Sequence, residues 1–185
     1  MNLTLSRFDS PLGELLIVTD SQARLRALGF ADHESKLRRQ LRERYGSCEL
    51  VVATPPASLL EALESYLAGH PAALPDIPIA TSGSTLERAV WAAVRRIAPG
   101  ETQSYGELAR ALGFPDPRAA IEIGAAVGAN LLAIVVPCHR VIGKNGDLKG
   151  FAWGLHRKRW LLEHEGALRP SVPVYAPVSA RLPGL

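Results

Sequence analysis

A cysteine and a histidine stand side by side at Cys138-His139, between Pro137 and Arg140. Ile134-Val135-Val136 precede them and Val141-Ile142 follow. The thiolate is the reactive form of cysteine. A neighbouring imidazole and guanidinium both favour it, lowering an ordinary thiol pKa of about 8.5 by one to several units. The apolar run predicts a buried strand over 132–136 that ends at Pro137 and presents a nucleophile. Adjacent residues of a continuous strand face opposite ways, so a working Cys-His pair requires a turn here. The residues alone leave two readings of Cys138, an activated nucleophile or a buried structural thiol, a common fate of this residue type. Cys48 lacks a basic neighbour and reads as structural. Tyr105 reads as a core tyrosine or a phenolic donor. Glu165, near a helix end, is a solvated carboxylate unless it orients His139, as a third group orients the base of a triad.

The elements that must position these residues fall into two groups. In the first, Leu3 and Leu5, then Leu15 and Ile17, alternate with polar residues at strand spacing. Asp9 to Gly13 and Asp20-Ser21 are turn signals, and Leu25 to Phe30 suggests a third strand. Leu37, Leu41 and Tyr45 mark one face of an arginine-rich helix, and a strand is expected over 49–53. Ser58 and Glu61 read as a capping box opening a helix through Leu67. Residues 70–83, with Pro71, Pro75 and Pro78, read as a linker.

In the second group, Ser84 and Glu87 form another capping box before Leu86, Val90, Val94 and Ile97, and Pro99-Gly100 stops that helix. A short helix after Ser104 ends at Gly113, and a second spans about 118–129. Two short helices joined by a glycine-containing turn suggest a helix-turn-helix. The second is rich in small residues, Ala119, Ala120, Gly124, Ala125, Ala126 and Gly128. That composition suits tight helix packing or close approach to nucleic acid. A last helix is expected over 156–165, followed by a Pro-rich tail over 170–185.

The chain of 185 residues is 47% hydrophobic and 21% charged, with a net charge of +3. It is long enough for one large or two small domains, and its mild basicity permits a polyanionic partner. Its two cysteines form no CxxC pair, which excludes a thioredoxin site and a four-cysteine zinc site. Sparse cysteine fits a reducing compartment. The polar N-terminus lacks a signal-peptide core, and no apolar run approaches the roughly 20 residues of a membrane span. A cytoplasmic protein is expected. His33, His70, His156 and His164 are too scattered to suggest a metal site.

Together these residues resemble the O6-alkylguanine-DNA alkyltransferases, or methylated-DNA–protein-cysteine methyltransferases. The matching text is Val90-Trp91, Ile97 to Thr102, Ser104-Tyr105-Gly106, Gly128-Ala129-Asn130, Ile134 to Gly143, Gly146, Gly150 to Gly154, Arg157-Lys158, Leu161-Leu162 and Glu165-Gly166. It covers residues 84–166 strongly and the first unit loosely, through Ser10 to Gly13. The resemblance implies an α/β fold: a ribonuclease H-like N-terminal domain over 1–79 and a mainly helical, winged helix-turn-helix-like DNA-binding domain over 80–169. It implies a monomer that needs no cofactor, no metal, no membrane and no obligate protein partner, and that acts on double-stranded DNA. The damaged guanine would be flipped out of the stack, at a cost of a few kcal/mol. Its O6-alkyl group, chiefly methyl, would pass irreversibly to Cys138, with O4-methylthymine a second substrate. His139 would take the thiol proton through a water and Glu165 would polarise the imidazole. Tyr105 would donate to N3 of the leaving base, Asn130 would brace the turn, and the carbonyls of Cys138 and Val141 would accept from the guanine amino group. Arg140 would support the loop. Ala119, Ala126 and Phe151 would lie against DNA or the base.

Two departures stand out. The family's recognition helix opens with an arginine that fills the gap left by the flipped base. Counting back from Asn130, this chain has Ile121 there, and a shifted alignment offers Arg118. Where many members have glycine, this chain has Trp153, which is expected to narrow the pocket and slow reaction with bulky adducts such as O6-benzylguanine. Three rivals remain: an alkyltransferase-like lesion binder, which would lack Cys138; a transcriptional regulator, which would need a base-reading helix; and a cysteine hydrolase, which would need an oxyanion hole.

Overall fold

A computed structural model describes residues 1–74 and 76–169. The Pro-rich tail expected over 170–185 lies outside them, as does Pro75. Three antiparallel strands open the chain: β1 (Asn2–Phe8), β2 (Leu15–Thr19) and β3 (Leu25–Phe30). β2 is buried along its whole length, covered on both faces of the sheet. Helix α1 (Glu34–Tyr45) lays Leu37 and Leu41 into the core. The fourth strand, β4 (Glu49–Val52), runs parallel to β1, giving the order β3-β2-β1-β4. Helix α2 (Ala57–Leu67) buries Leu59, Leu63 and Tyr66, residues spaced to share one helical face.

Two expectations for this half need correction. Ser58 and Glu61 do not form a capping box. The helix starts one residue before Ser58, with Pro56 at the N-cap and no side-chain cap. The Pro56 carbonyl instead accepts from the Leu59 and Leu60 amides at 3.0 and 3.2 Å. The stretch expected as a linker is also tied down. Leu25 N–H donates to the Pro78 carbonyl at 2.8 Å, and Ala80 N–H to the Leu25 carbonyl at 3.0 Å. The free edge of β3 carries backbone groups that need partners, and this segment supplies them.

The second half is mainly helical. Helix α3 (Thr85–Val94) opens with the expected reciprocal box: the Ser84 hydroxyl accepts from the Glu87 amide, and Glu87 accepts from the Ser84 amide. A two-residue β5 (Gln103–Ser104) leads into α4 (Tyr105–Ala111), where Ser104 and Glu107 repeat the device. Helix α5 (Ala119–Gly128) packs on α3 and α4, β6 (Val141–Ile142) pairs in parallel with β5, and α6 (Leu155–His164) closes the described chain.

The strand expected over 132–136 is a compact turn. Leu132 makes a single bridge to Leu28, with Leu28 N–H donating to the Leu131 carbonyl at 2.8 Å and Ala133 N–H to the Leu28 carbonyl at 2.9 Å. The chain then folds back, Val136 N–H donating to the Leu132 carbonyl at 2.9 Å. Ile134 takes φ +68°, a conformation rare for a β-branched residue and costing about 1–3 kcal/mol. An apolar run of this length is equally compatible with a buried strand and a buried turn, so periodicity could not separate them.

Trp153 is fully buried between the two halves. Its ring lies 6.0 Å from Phe30 and 5.9 Å from His33, with the Lys36 ammonium 5.3 Å from its centre. It covers Gly29 so closely that a Cβ there would fall 2.7 Å from the indole. Trp153 therefore faces the N-terminal sheet, and the pocket narrowing expected of it is overturned. Truncating so large a core side chain should cost about 3–5 kcal/mol. Trp153→Ala is thus expected to lose about that much in denaturant unfolding; a loss under about 1 kcal/mol, the level of a surface change, would contradict the interdomain role.

Candidate active site

Cys138, His139 and Arg140 form one turn of 3-10 helix directly after Pro137. This supplies the turn that a Cys-His pair requires. All three residues are buried. Asn130, at the end of α5, holds the preceding loop together. Its side-chain amide donates to the Val136 carbonyl at 3.0 Å, the Leu132 carbonyl at 3.3 Å and the Cys138 sulfur at 3.2 Å, while its oxygen accepts from the Leu132 amide at 2.9 Å. Asparagine carries both donors and an acceptor on one planar group, which is what this loop demands.

Glu165 follows α6, and its side chain has no solvent exposure. Oε1 accepts from His139 Nε2 at 2.9 Å, Arg140 Nη2 at 2.8 Å and the Tyr66 hydroxyl at 2.7 Å. Oε2 accepts from Arg140 Nε at 2.7 Å. Burial alone would raise the carboxyl pKa, but His139 and Arg140 outweigh it and hold Glu165 at about 2. The carboxylate is therefore ionised and can only accept. It follows that Nε2 of His139 carries the proton and Nδ1 is the basic nitrogen. Nδ1 is buried and has no hydrogen-bond partner among the described residues. Burial also lowers the His139 pKa against the pull of Glu165, so the imidazole is neutral and free to act as a base.

The thiol itself departs from the sequence expectation. Burial pushes the Cys138 pKa up, opposed by the Asn130 hydrogen bond and the charge of Lys158. Arg140, expected to favour the thiolate, spends its guanidinium on Glu165 and on the Ile97 carbonyl, at 2.6 Å. The resting site thus holds a neutral thiol beside a neutral imidazole.

Lys158 was not legible as a site residue. It is fully buried on α6, with Nζ donating to the Val141 carbonyl at 2.6 Å and the Lys149 carbonyl at 2.9 Å. Burial lowers its pKa to about 8. The available signal was periodicity, since Lys158, Leu161, Leu162 and Glu165 share one helical face. Tyr66 gave no such signal, because nothing local ties it to a glutamate 99 residues away.

The other candidates divide. Tyr105 sits at the start of α4, its hydroxyl donating to the carbonyls of Lys149 and Gly150, each at 3.3 Å. Its pKa is raised, first by burial and then by Cys138. Tyr105 also lines a groove of about 770 Å³ together with Arg110, Phe114, Pro117 and Ala120. Phe151 is half-buried beside the core. Val141 is buried, and its carbonyl already accepts from Lys158. Ala126 must be corrected as a DNA-facing residue: it is 4% exposed, and its carbonyl accepts from Trp91 Nε1 at 2.8 Å. Ala126 shares the inward face of α5 with Ile123 and Val127. The outward face carries Ile121, 76% exposed, with Ala125 and Gly128 one and two turns on. Ala119 is half-buried, and Arg118 at the N-cap is exposed, pairing with Asp116 at 3.3 Å. Among the described residues no cluster of three His, Cys, Asp or Glu could hold a metal ion, and no helix is long and apolar enough to cross a membrane.

Known proteins resemble this chain along nearly its whole length. A family model described as 6-O-methylguanine DNA methyltransferase, DNA binding domain, matches residues 85–167, and a second, its ribonuclease-like domain, matches residues 4–81. A methylated-DNA–protein-cysteine methyltransferase of Salmonella typhimurium is 44% identical over 170 residues, covering 91% of this chain and 98% of that protein. The crystal structure of Mycobacterium tuberculosis OGT in complex with DNA superposes with a TM-score of 0.74 at 34% identity, covering 89% of this chain and 93% of that one. The O6-methylguanine methyltransferase structure from the same organism gives a TM-score of 0.72 at 32% identity, covering 92% and 96%.

The pH dependence of stability follows from Glu165. Its pKa falls from 4.5 to about 2 on folding. A depressed carboxyl stabilises fully above the unfolded pKa and loses that contribution as pH drops through the folded one. At 1.36 kcal/mol per unit this amounts to about 3 kcal/mol. The stability gap between wild type and Glu165→Gln, measured by denaturant unfolding, should shrink by about 3 kcal/mol between about pH 5 and pH 2. A gap constant with pH would refute it.

Proposed function

Because the chain belongs to the 6-O-methylguanine DNA methyltransferase family, we propose that it repairs duplex DNA by a single, irreversible transfer of an O6-alkyl group from guanine to Cys138. The observation that carries this reading is the buried Cys138 turn with a neutral base beside it and an ionised carboxylate behind that base. His139 Nδ1 draws the thiol proton through a bridging water while its Nε2–H stays on Glu165. Sulfur attacks the alkyl carbon, the C–O6 bond breaks, and the electron pair leaves with the purine. Tyr105, whose raised pKa keeps it protonated, gives a hydrogen bond to N3 of the departing base and stabilises the charge gathering there. Lys158 supplies positive charge close to the sulfur. The product is a neutral thioether; regenerating the thiol would need a nucleophile to reach the buried alkyl carbon and displace a thiolate, a poor leaving group, so the site is used once.

Helices α4 and α5 form the DNA-facing pair in this reading, entering the minor groove with the small outward residues of α5. O6-methylguanine is the chief substrate, and the same displacement serves O4-methylthymine. The protein works as a monomer without cofactor or metal. The domain boundaries proposed are 1–79 and 80–169. Trp153 packs against the N-terminal sheet and so gives no reason for bulky adducts to be excluded.

Intact-protein mass spectrometry after incubation with an O6-methylguanine duplex should show one added methyl on the Cys138 peptide, and none in Cys138→Ser. Multiple turnover without an adduct would overturn the assignment.

The roles of Arg118 and Ile121 separate in the same system. Ile121, the exposed apolar residue of α5, is assigned as the wedge between bases, a use to which proteins put such side chains. Arg118 is assigned as a phosphate contact. Arg118→Ala should weaken binding to all duplexes and reduce the salt slope by about 1. Ile121→Ala should slow transfer from duplex DNA while sparing transfer from single strands. An unchanged duplex rate in Ile121→Ala would remove the wedge.

A further inference from the structure

Among the described residues, Tyr66 is the side chain of the N-terminal domain that reaches Glu165. Tyr66 lies on α2, fully buried, on the face it shares with Leu59 and Leu63. Its hydroxyl donates to Glu165 Oε1 at 2.7 Å, the same oxygen that receives His139 Nε2. Arg140 already reaches both oxygens of this carboxylate. The phenol is therefore not required for charge balance. What it adds is direction: a third donor on Oε1 fixes the carboxylate's rotation and limits how strongly that oxygen pulls on the imidazole N–H.

The backbone of Tyr66 is clamped to the same place. Its carbonyl accepts from His164 Nε2 at 2.7 Å. The His164 ring stands 5.3 Å from the Tyr66 ring, at 61°, and stacks on Trp160 at 4.6 Å. Both ends of Tyr66 are thus held by residues 160–165, and its hydroxyl has little freedom to point elsewhere.

We propose that Tyr66 is a positioning residue for alkyl transfer, through which the N-terminal domain orients Glu165 behind His139. The proposal rests on Cys138 being the alkyl acceptor. Among the described residues, the charged groups acting on His139 are Glu165, Arg140 and Lys158, with Tyr66 acting through Glu165. Removing the phenolic donor leaves more negative charge on Oε1. The imidazolium is then favoured, and His139 titrates at higher pH. Protonated His139 cannot accept the thiol proton, so the acid limb of the transfer rate moves up.

The test is single-turnover transfer from saturating O6-methylguanine duplex with wild type, Tyr66→Phe and Leu63→Ala, from about pH 5.5 to 9, the range in which histidine titrates. Because each molecule reacts once, the amplitude counts competent molecules and the rate constant reports the chemistry. Leu63→Ala trims the same face of α2 without touching Glu165. Tyr66→Phe should keep its amplitude and its half-saturating DNA concentration. It should lose rate several-fold, most at low pH, with the acid limb raised by about half a unit. Leu63→Ala should keep both rate and limb. A Tyr66→Phe rate and limb equal to wild type, or the same shift in Leu63→Ala, would overturn the proposal. A wild type that acquires no methyl would sink the acceptor assignment itself, visibly before any variant is compared.

Discussion

The structure depends on a buried carboxylate. Glu165 is fully enclosed, and an isolated ion in such a place is prohibitively costly unless it is paired and hydrogen-bonded. Here four hydrogen bonds from three residues satisfy it. Those residues come from distant parts of the sequence: Tyr66 from α2, and His139 and Arg140 from the cysteine turn. Arg140 also reaches the Ile97 carbonyl just beyond α3. The ion pair therefore ties together α2, α3, α6 and the reactive turn. Burying such a pair seldom adds net stability, but removing one partner strands the other. The arrangement is thus better understood as a means of fixing geometry than as a source of folding energy.

The geometry it fixes is strained on the other side of the cysteine. Ile134 has a positive φ, and the loop around it is held by Asn130 and by the bridge between Leu28 and Leu132. β3 of the N-terminal sheet thereby supports the turn from below, while Tyr66 of the same domain reaches Glu165 behind it. Trp153 adds a third link, lying over Gly29 of the same strand. The first domain is more than a neighbour that shields apolar surface. Its edge strand pairs with the loop that leads into the reactive turn, and its second helix reaches the supporting carboxylate.

What was readable in the sequence follows the range of the interactions involved. The strands at Leu3, Leu15 and Leu25, the helix face of Leu37 and Leu41, and the Ser84-Glu87 cap are local patterns, and each is present. The turn at Pro137 was deducible because adjacent strand residues cannot converge. The Ser58-Glu61 cap failed because the same four-residue spacing occurs inside a helix as readily as at its start. Residues 132–136 were misread because buried strands and buried turns share one composition. Trp153 is expected in the pocket because it stands where many members of the resembling family have glycine, whereas tertiary packing turns it toward Phe30. Tyr66 is invisible as a site residue because its partner is a carboxylate 99 residues away, whereas Lys158 leaves only the weak signal of a charged residue on an apolar helix face.

The electrostatic state of the resting thiol bears on how selectively such a site can react. A permanently ionised, exposed cysteine would react with any electrophile. Here burial keeps Cys138 protonated, and burial likewise keeps His139 neutral. In the proposed transfer, charge separates only as the proton moves toward Nδ1, when Asn130 and Lys158 stand ready for the sulfur and Glu165 for the imidazolium. Stabilisation aimed at charges that appear during reaction lowers the barrier without stabilising the ground state to the same degree. Under the single transfer proposed above, this arrangement matters particularly, because every unproductive alkylation or oxidation of the thiol would remove one molecule from use.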